Sequence, residues 1–502
     1  MNSNKTIVKN SLLLYVRMFL TMLIGLYTSR VLLKALGVED YGIYNIVGGI
    51  TTMFNFINGS MAVASSRFIA FSIGKNDVQT ERTVFKHILY IHYGIGLLIA
   101  LLIETVGVWF LYNKLVIPED RMNAAFWILQ FSAITCFLNV ICTPYNSMII
   151  SHEKMSSFAY ISILESVLKL LICYMVMVSS SDKLIVYGEL LMLESVLIRI
   201  IYTLYCRKKF VAVQGKVVLQ KKMFTEIASF AGWNTLGNAA LMTIEQGISI
   251  LLNLFFGPVV NASRGIASQV INLISGFSSN IRMAINPQIT KSYSQKDMKK
   301  MYQLIRMSSI YPFYMILACF IPIFLIGDFL LHLWLVDVPA YSLVFLRLGL
   351  LYTLVNSFAN PIIIGIHATG RIRKFQIIEG ILMLLTLPLA YIFLRIGLPA
   401  YSVYIASIVI AIVAQIGRVL VVLPTLGFSI KKYLLDMVLP CLKVSVCGFI
   451  ILALCSIMYD NNPISSFLLC LIFNCISILM IGFDKGERQK IFDIVMTKIK
   501  LQ

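Results

Sequence analysis

Residues 65–77 read SSRFIAFSIGKND: an apolar run that carries an arginine ends in a polar turn. Residues 285–297 read INPQITKSYSQKD and end a second apolar run 220 positions later, again with an aspartate as the last residue. Farther along, TPYNSMIISHEKMSSF (143–158) aligns with NPIIIGIHATGRIRKF (360–375) at an offset of 217. Because the order and spacing of several apolar runs agree as well, these matches predict an internal duplication.

The bulk composition places most of the chain in lipid. Of its 502 residues, 59% are hydrophobic and only 13% are charged, whereas soluble domains carry about 25% charged residues. A transmembrane helix needs roughly 20 apolar residues. That window predicts an all-α polytopic membrane protein with fourteen spans, near residues 10–33, 42–70, 86–112, 124–150, 158–180, 185–205, 226–256, 259–285, 303–331, 341–367, 375–395, 398–424, 434–458 and 464–483.

The basic residues indicate how these spans are oriented. Lysine and arginine in short loops stay on the cytoplasmic side. With the N-terminus placed there, the opposite turns receive only seven of the 42 basic residues: Arg30, Lys34, Lys114, Arg121, Lys183, Arg264 and Arg395. We therefore expect both termini in the cytoplasm. Topology accounts for the net charge of +19, so nucleic acid is not an expected partner.

The repeat predicts how the chain is organised. Each half holds six spans, an even number, so both halves enter the membrane from the same side. Parallel repeats about an axis along the membrane normal are typical of transporters, with the substrate handled between the halves. The predicted parts are a six-helix lobe at 1–205, a basic cytoplasmic linker at 206–222, a six-helix lobe at 223–424, two appended helices at 425–483 and a basic cytoplasmic tail at 484–502. The apolar spacing of the tail is typical of an interfacial helix.

Several basic residues lie inside the predicted spans. A lone arginine or lysine at mid-helix costs about 2.5–3.5 kcal/mol to insert, so it normally faces water or a partner. Arg17, Arg67 and Arg282 have no acid at helical spacing, and their spans lie at the predicted pseudo-axis. We interpret them as substrate-binding residues. In contrast, Glu165 and Lys169 form a structural i,i+4 pair, and Arg418 is near enough to a membrane surface to snorkel.

The candidate site extends to further polar residues on the same spans. Arg30 and Arg264, at the outer ends of the first and eighth spans, would line the exit side. The amides assigned to the site are Asn55, Asn58, Asn238 and Asn272. Glu245, in the seventh span, is a candidate proton or sodium site. Helix–helix hydrogen bonding explains part of this polar set, but a hydrated cavity lined by cations and amides explains it better and suits an anionic substrate.

The sequence offers no constellation of catalytic or metal-binding residues. The ten cysteines lack C-x-x-C spacing, the five histidines form no metal-type pair, and neither a phosphate-binding loop nor G-x-S-x-G occurs. We therefore predict a protein that is not an enzyme and needs neither a metal nor a cofactor.

Residues 30–44, RVLLKALGVEDYGIY, with R-x5-L-G-x3-Y-G closing the first span, resemble the polysaccharide transporter family. The turn after the second span and NPQITKSYSQKD (286–297) resemble it too. These are the O-antigen and capsule flippases of the multidrug/oligosaccharidyl-lipid/polysaccharide exporter superfamily. The resemblance covers about residues 5–485.

Membership would imply a V-shaped, two-lobed fold with alternating access in the bacterial cytoplasmic (inner) membrane. The substrate would be an undecaprenyl-diphosphate-linked oligosaccharide, a unit for lipopolysaccharide or capsule, flipped from the inner to the outer leaflet. The implied partners are membrane lipid and other polysaccharide-assembly proteins. In such flippases, arginines of the first, second and eighth spans bind the diphosphate. The candidates at those spans here are Arg17, Arg30, Arg67, Arg264 and Arg282.

Three other functions stay open. A cation-coupled multidrug or small-molecule exporter of the same superfamily would need cavity acids, which the first two spans lack. A fourteen-span major facilitator would carry G-x3-D-R-x-G-R after the second span, where this chain has GKNDVQTERT. A polysaccharide polymerase, which is a membrane enzyme, would need a large outer loop, and the predicted spans leave none.

Overall fold

The computed structural model describes residues 3–52, 55–115, 117–215, 217–256, 258–334, 338–457, 463–484 and 486–489. Helices form almost all of this part of the chain. They are α1 Ser3–Thr52, α2 Asn55–Gly74, α3 Val78–Leu102, α4 Val108–Lys114, α5 Met122–Ser151, α6 Met155–Val178, α7 Lys183–Lys209, α8 Lys221–Phe256, α9 Pro258–Ser294, α10 Met298–Trp334, α11 Ser342–Asn356, α12 Ala359–Thr369, α13 Arg373–Leu384, α14 Thr386–Arg395, α15 Ser402–Thr425, α16 Ile430–Tyr433, α17 Leu439–Ile457 and α18 Pro463–Ser477.

Where the structure describes them, the fourteen predicted spans lie mostly on one helix or on two consecutive helices. Wider π-helical turns at Ile103–Gly107 and Leu434–Val438 join α3 to α4 and α16 to α17, so each pair forms one long rod. Within the described chain, eleven helical segments are long and apolar enough to cross a membrane. The remaining predicted spans lie on α2 with the end of α1, on α7 and on α9, which carry more polar residues. The all-helical, multi-span fold is confirmed.

A backbone break at Gly37 separates the first two spans, although α1 continues past it into the beginning of the second. Gly37 has φ 80° and ψ 172°, a conformation that glycine adopts without the steric cost of a Cβ. The glycine of the R-x5-L-G motif therefore marks the end of the first span.

The duplication is visible in the backbone of two pairs of turns. Asn76, between α2 and α3, and Lys296, between α9 and α10, have φ values of 56° and 59°, and 296 − 76 = 220. Glu153, between α5 and α6, and Gly370, between α12 and α13, have φ values of 60° and 78°, and 370 − 153 = 217. Non-glycine residues rarely adopt positive φ, so left-handed turns at both predicted offsets confirm the repeat.

The described chain divides into two compact units. Unit 1 contains Met1–Ala239 together with two short later stretches, Thr290–Asp297 and Gly370–Gln376. Unit 2 contains Ala240–Ile289, Met298–Thr369 and Ile377–Gln502. The lobe and linker boundaries expected from the sequence stay a prediction. The expected interfacial helix of the tail falls mostly at 490–502, outside the described residues.

Each unit is built around one long central helix. In unit 1, α5 packs against α2, α3 and α7, while α1 lies along α6. In unit 2, α10 packs against α11, α17 and α18. Large side chains such as Phe85, Met148 and Phe345 are fully buried in these interfaces. The two appended helices are thus part of the core of unit 2, because α17 and α18 cover α10.

Candidate functional site

Arg67 lies on α2, ahead of the left-handed turn at Asn76. Its side chain is buried, and its guanidinium carbon is 4.2 Å from the centre of the Phe68 ring and 5.3 Å from those of Phe71 and Phe230. Cation–π contacts of this kind stabilise a desolvated cation by about 2 kcal/mol or more. This predicted substrate residue is therefore enclosed by aromatic rings of α2 and α8.

Gly370 provides the surface on which the Arg67 side chain rests. A Cβ at position 370 would overlap Nη2 of Arg67 and lie 3.2 Å from its Cζ. Gly370 also has a positive φ of 78°. The backbone conformation therefore favours glycine at this position, and any larger residue would also require the Arg67 guanidinium to shift.

The two repeated turns touch each other inside unit 1. A Cβ at Gly74 would overlap Oγ of Ser294 and lie 2.8 Å from the carbonyl oxygen of Lys291. Gly74 and Ser294 are equivalent in the repeat, because 294 − 74 = 220. Equivalent residues of the two repeated turns therefore lie side by side within unit 1.

An ion pair between Lys291 and Glu153 lies in the same region. Lys291 Nζ is 2.8 Å from Oε1 of Glu153, with side chains 17% and 21% exposed. Glu153 occupies the left-handed turn that is equivalent to Gly370. We call Arg67, Gly74, Glu153, Lys291, Ser294 and Gly370 the turn cluster. Its members other than Arg67 were not predicted as site residues, although the 217-residue offset pairs Glu153 with Gly370.

Amides extend the turn cluster along α8. Asn234 donates a hydrogen bond to the carbonyl oxygen of Ser60 (3.1 Å), and Asn238 donates to the Ser60 hydroxyl (2.6 Å). Gln376 donates to Oδ1 of Asn234 at 3.3 Å. The predicted site residue Asn238 thus holds α8 against α2 within unit 1.

In unit 2, α9 exposes several polar side chains in its middle. Gln269, Asn272 and Ser279 are exposed on it, and Arg282 follows Ser279 by three residues, which places it on the same face of the helix. Arg282 is half-buried. Among the residues that the structure describes, it has neither a hydrogen-bond partner nor an ion-pair partner. Arg282 and Asn272, both predicted site residues, therefore lie on the same helix, ten residues apart.

The remaining predicted arginines lie in different surroundings. The guanidinium carbon of Arg17 is 4.9 Å from the centre of the Phe158 ring on α6. Arg30 is exposed on α1. Arg264 donates a hydrogen bond to the Ser249 hydroxyl within unit 2. The five arginines are thus divided between the units, with three on α1 and α2 of unit 1 and two on α9 of unit 2.

Three predicted polar residues complete the set. Asn58 accepts a hydrogen bond from the Thr143 hydroxyl at 2.7 Å, which ties α2 to α5. Glu245 is exposed on α8. Asn55 begins α2, but its side chain is outside the part of the chain that the structure describes.

The prediction that Arg418 snorkels to a membrane surface is wrong. Its side chain is 2% exposed and forms an ion pair with Glu379 of α13, to which it also donates through Nε. A helix-wheel pattern does not reveal this partner, because Glu379 is 39 residues away in sequence. Lys169 and Glu165 do pair, at 2.5 Å, as predicted.

Away from the turn cluster, an arginine clamps two aspartates at a loop of unit 1. Arg121 is 2.7 Å from both Asp40 and Asp182. Partial burial raises the pKa of Asp182, but the hydrogen bonds from Arg121 outweigh it and hold that pKa below its ordinary value. No group of three or more histidine, cysteine, aspartate or glutamate side chains in the described residues is arranged to hold a metal ion.

Comparison with known proteins gives one family and one fold. A sequence model for a family described as polysaccharide biosynthesis protein matches residues 7–293. No curated protein sequence matches. A crystal structure of a MATE point mutant superposes with a TM-score of 0.75 at 16% identity, covering 86% of this chain and 98% of that one.

Two further solved structures share the same fold. An outward-facing multidrug resistance MATE family transporter of the MOP superfamily gives a TM-score of 0.74 at 15% identity, covering 85% of this chain and 96% of that one. A MOP superfamily transporter from Pyrococcus furiosus, described as having a binding pocket of reverse polarity, gives 0.71 at 16% identity, covering 86% and 97%. At these identities the likeness shows the fold alone.

Proposed function

Because this chain belongs to the family of polysaccharide biosynthesis proteins, we propose that it is a transporter that moves a lipid-linked, anionic saccharide across a membrane by alternating access. The proposed substrate is an undecaprenyl-diphosphate-linked oligosaccharide, the repeat unit of an O-antigen, capsule or exopolysaccharide. It would pass from the inner to the outer leaflet of the bacterial cytoplasmic membrane.

The surroundings of Arg282 are the observation on which this proposal rests. It is a half-buried arginine in a predicted spanning helix, one turn after the exposed Ser279. A charge inside a spanning helix is costly unless it faces water or a partner. The described residues supply neither a hydrogen-bond partner nor an ion-pair partner for Arg282. A hydrated path along α9 and an anionic ligand would account for this residue.

Diphosphate is the anion that best fits the predicted arginines. The guanidinium fork forms charge-assisted, bidentate hydrogen bonds with phosphate oxygens, which a lysine cannot reproduce. Arg17, Arg30, Arg67 and Arg264 remain proposed contributors, with Asn55, Asn58 and Asn238 as hydrogen-bonding groups for the glycan. Asn238 and Arg67 are engaged within unit 1 in the described state, so they would bind substrate only after these contacts open.

We expect the membrane potential to contribute energy to this transport. Moving a negative charge outward across a negative-inside potential is favoured by about 2.3 kcal/mol per charge per 100 mV. Two negative charges on a diphosphate would therefore gain about twice that amount. Because the lipid tail remains in the bilayer, only the headgroup and the glycan need the polar path.

The decisive experiment measures flipping in proteoliposomes that contain a fluorescent undecaprenyl-diphosphate saccharide. The fraction that reaches the opposite leaflet is read as quenching by an impermeant reductant. Arg282→Ala removes hydrogen bonds to a charged group, each worth about 1.5–3 kcal/mol, so we expect flipping to slow by about 10- to 100-fold. Arg282→Lys keeps the charge without the fork and should lie between.

Arg395→Ala is the matched control, because Arg395 is exposed in the last turn of α14. It should flip substrate at the rate of the unmodified protein. If Arg282→Ala flips as fast as that control, the diphosphate site on α9 is excluded.

Glu245 favours a second candidate function, a cation-coupled exporter of small molecules. It is an exposed carboxylate on α8, and acids in a transport path suit cationic substrates or coupling ions. Efflux of a cationic dye from the same vesicles that is lost in Glu245→Gln, without any flipping of the saccharide, would support this alternative. Flipping without dye efflux would support the saccharide transporter.

A further inference from the structure

A group of cations lies at one end of α3 in unit 1. Arg82 and Lys86 occupy successive turns of α3, and Arg207 is in the last turn of α7. The charges of Arg207 and Arg82 both act on Lys86, which is half-buried. Nε of Arg82 is a buried atom without a hydrogen-bond partner among the described residues.

The segment between α7 and α8 holds this group in place. His87 is fully buried, and its Nδ1 lies 2.7 Å from the Thr83 carbonyl oxygen, which can only accept. Its Nε2 therefore accepts from the backbone N–H of Gln220 at 2.8 Å. Gly215, with φ 85°, lies 3.6 Å from the Arg82 side chain, measured from an added Cβ. The loop is thus fixed against α3, and the cations are held close to one another.

No protein carboxylate in the described chain forms an ion pair with Arg82, Lys86 or Arg207. The neighbouring Glu81 pairs instead with His152, at 2.7 Å. Basic residues in the last turn of a helix complement its dipole, which accounts for Arg207. Lys86 lies in the N-terminal half of α3, where the dipole gives it no such stabilisation.

The second half of the repeat shows how such a position is neutralised. Arg306 of α10 is equivalent to Lys86, because 306 − 86 = 220. Arg306 pairs with Glu487 at 2.7 Å and with Asp484 at 3.2 Å. Tyr302, equivalent to Arg82, donates to Asp436. In unit 2, acids therefore neutralise the position whose equivalent in unit 1, Lys86, has no carboxylate partner among the described residues.

Apolar side chains beside the cations indicate what surrounds them. Val211, Val218 and Leu219 of the same loop are 61%, 84% and 49% exposed, whereas Ala212 and Val213 are buried against the core. An exposed valine and leucine beside unpaired cations, at the ends of spanning helices, suit the boundary between headgroups and acyl chains. Free phosphate would leave these apolar groups in water.

We propose that Arg82, Lys86 and Arg207 form a binding site for the phosphate of an anionic phospholipid, with Val211, Val218 and Leu219 entering the adjoining interface. Basic sites at the ends of spanning helices bind such headgroups. The lipid supplies the negative charge that Asp484 and Glu487 supply to the equivalent position of the second half. The proposal does not depend on which substrate is transported.

The test uses the full-length protein purified in mild detergent. Native mass spectrometry counts retained phosphatidylglycerol, and titration with phosphatidylglycerol or phosphatidylcholine in mixed micelles measures affinity. We expect selective retention of phosphatidylglycerol. Each cation near the surface contributes enough that its removal weakens binding by about fivefold, so Lys86→Gln/Arg207→Gln should lose about 25-fold.

Lys208→Gln/Lys209→Gln is the matched control, because it removes the same charge from exposed residues of the same helix end. An equal loss in both double variants, or no loss in the first, overturns the site. Arg82→Glu, which places a carboxylate one turn before Lys86, should also abolish lipid binding. The unfolding temperature of this variant should be unchanged. Competition by inorganic phosphate as effective as by phosphatidylglycerol would overturn the assignment to lipid.

Discussion

Arg67 and Gly370 show how two residues 303 positions apart constrain each other. The guanidinium is buried among the rings of Phe68, Phe71 and Phe230, and it lies where any side chain at 370 would begin. Burial of a charge is costly unless neighbouring groups stabilise it, and a Cβ at position 370 would displace the guanidinium from its contacts with these rings. The absence of a Cβ at Gly370 is therefore part of what stabilises Arg67 in this position.

Replacing Gly370 by alanine should destabilise the protein more than an ordinary positive-φ glycine does. The added Cβ strains the backbone, at a cost of about 1–3 kcal/mol, and also overlaps Arg67. Gly397→Ala is the control, since Gly397 has φ 87° with no atom within 4 Å of its added Cβ. Thermal unfolding in detergent should give a larger decrease in Tm for Gly370→Ala.

The double variant Arg67→Ala/Gly370→Ala separates the two costs. Without the guanidinium, only backbone strain remains, so the effect of Gly370→Ala on the free energy of unfolding should fall to that of Gly397→Ala. Equal decreases in Tm for the two single glycine variants would contradict the contact between Arg67 and Gly370.

At the scale of elements, the repeated turns after α2 and α9 touch through Gly74 and Ser294. Gly74→Val should prevent this approach, because its Cβ overlaps the Ser294 hydroxyl and its γ-carbons need further space. We expect faster amide hydrogen exchange in both turns, 72–77 and 292–297. Gly59→Ala, on the same helix with no atom within 4 Å of the added Cβ, should leave exchange unchanged. Unaltered protection of residues 292–297 in Gly74→Val would refute the contact.

The sequence was most informative where local chemistry determines the structure. Apolar run lengths predicted the eleven helical segments that are long and apolar enough to cross a membrane. Gly37 ends the first one because its backbone conformation needs glycine. The offsets of 220 and 217 predicted paired turns whose φ values agree. The partners of charged side chains were less accessible. Glu379 neutralises Arg418, and Glu153 pairs with Lys291, through packing between helices distant in sequence, which no helical periodicity encodes.

The candidate site was predictable in part for the same reason. That Asn272 and Arg282 lie on the same helix, α9, follows from the sequence alone. That Asn238 and Arg67 are engaged inside unit 1 depends on which helices meet. Similarly, that Lys86 has no carboxylate partner among the described residues becomes informative only beside its equivalent Arg306, which pairs with acids near residue 485.

For the whole molecule, the parallel repeat fixes the side of the membrane that each turn occupies. Both halves hold six spans, so the equivalent turns at Asn76 and Lys296 must lie on the same side, and the basic residues predict that this side is cytoplasmic. Ser181, in the turn between α6 and α7, should lie on the opposite side.

Asn76, Lys296 and Ser181 are all exposed. Single cysteines at these positions, in a chain freed of its ten native cysteines, would therefore report the topology directly. An impermeant maleimide should label Asn76→Cys and Lys296→Cys only in inverted vesicles and Ser181→Cys only in right-side-out ones. Labelling of Asn76→Cys and Lys296→Cys from opposite sides would require an odd number of spans between them and hence an inverted repeat, which six spans per half do not permit.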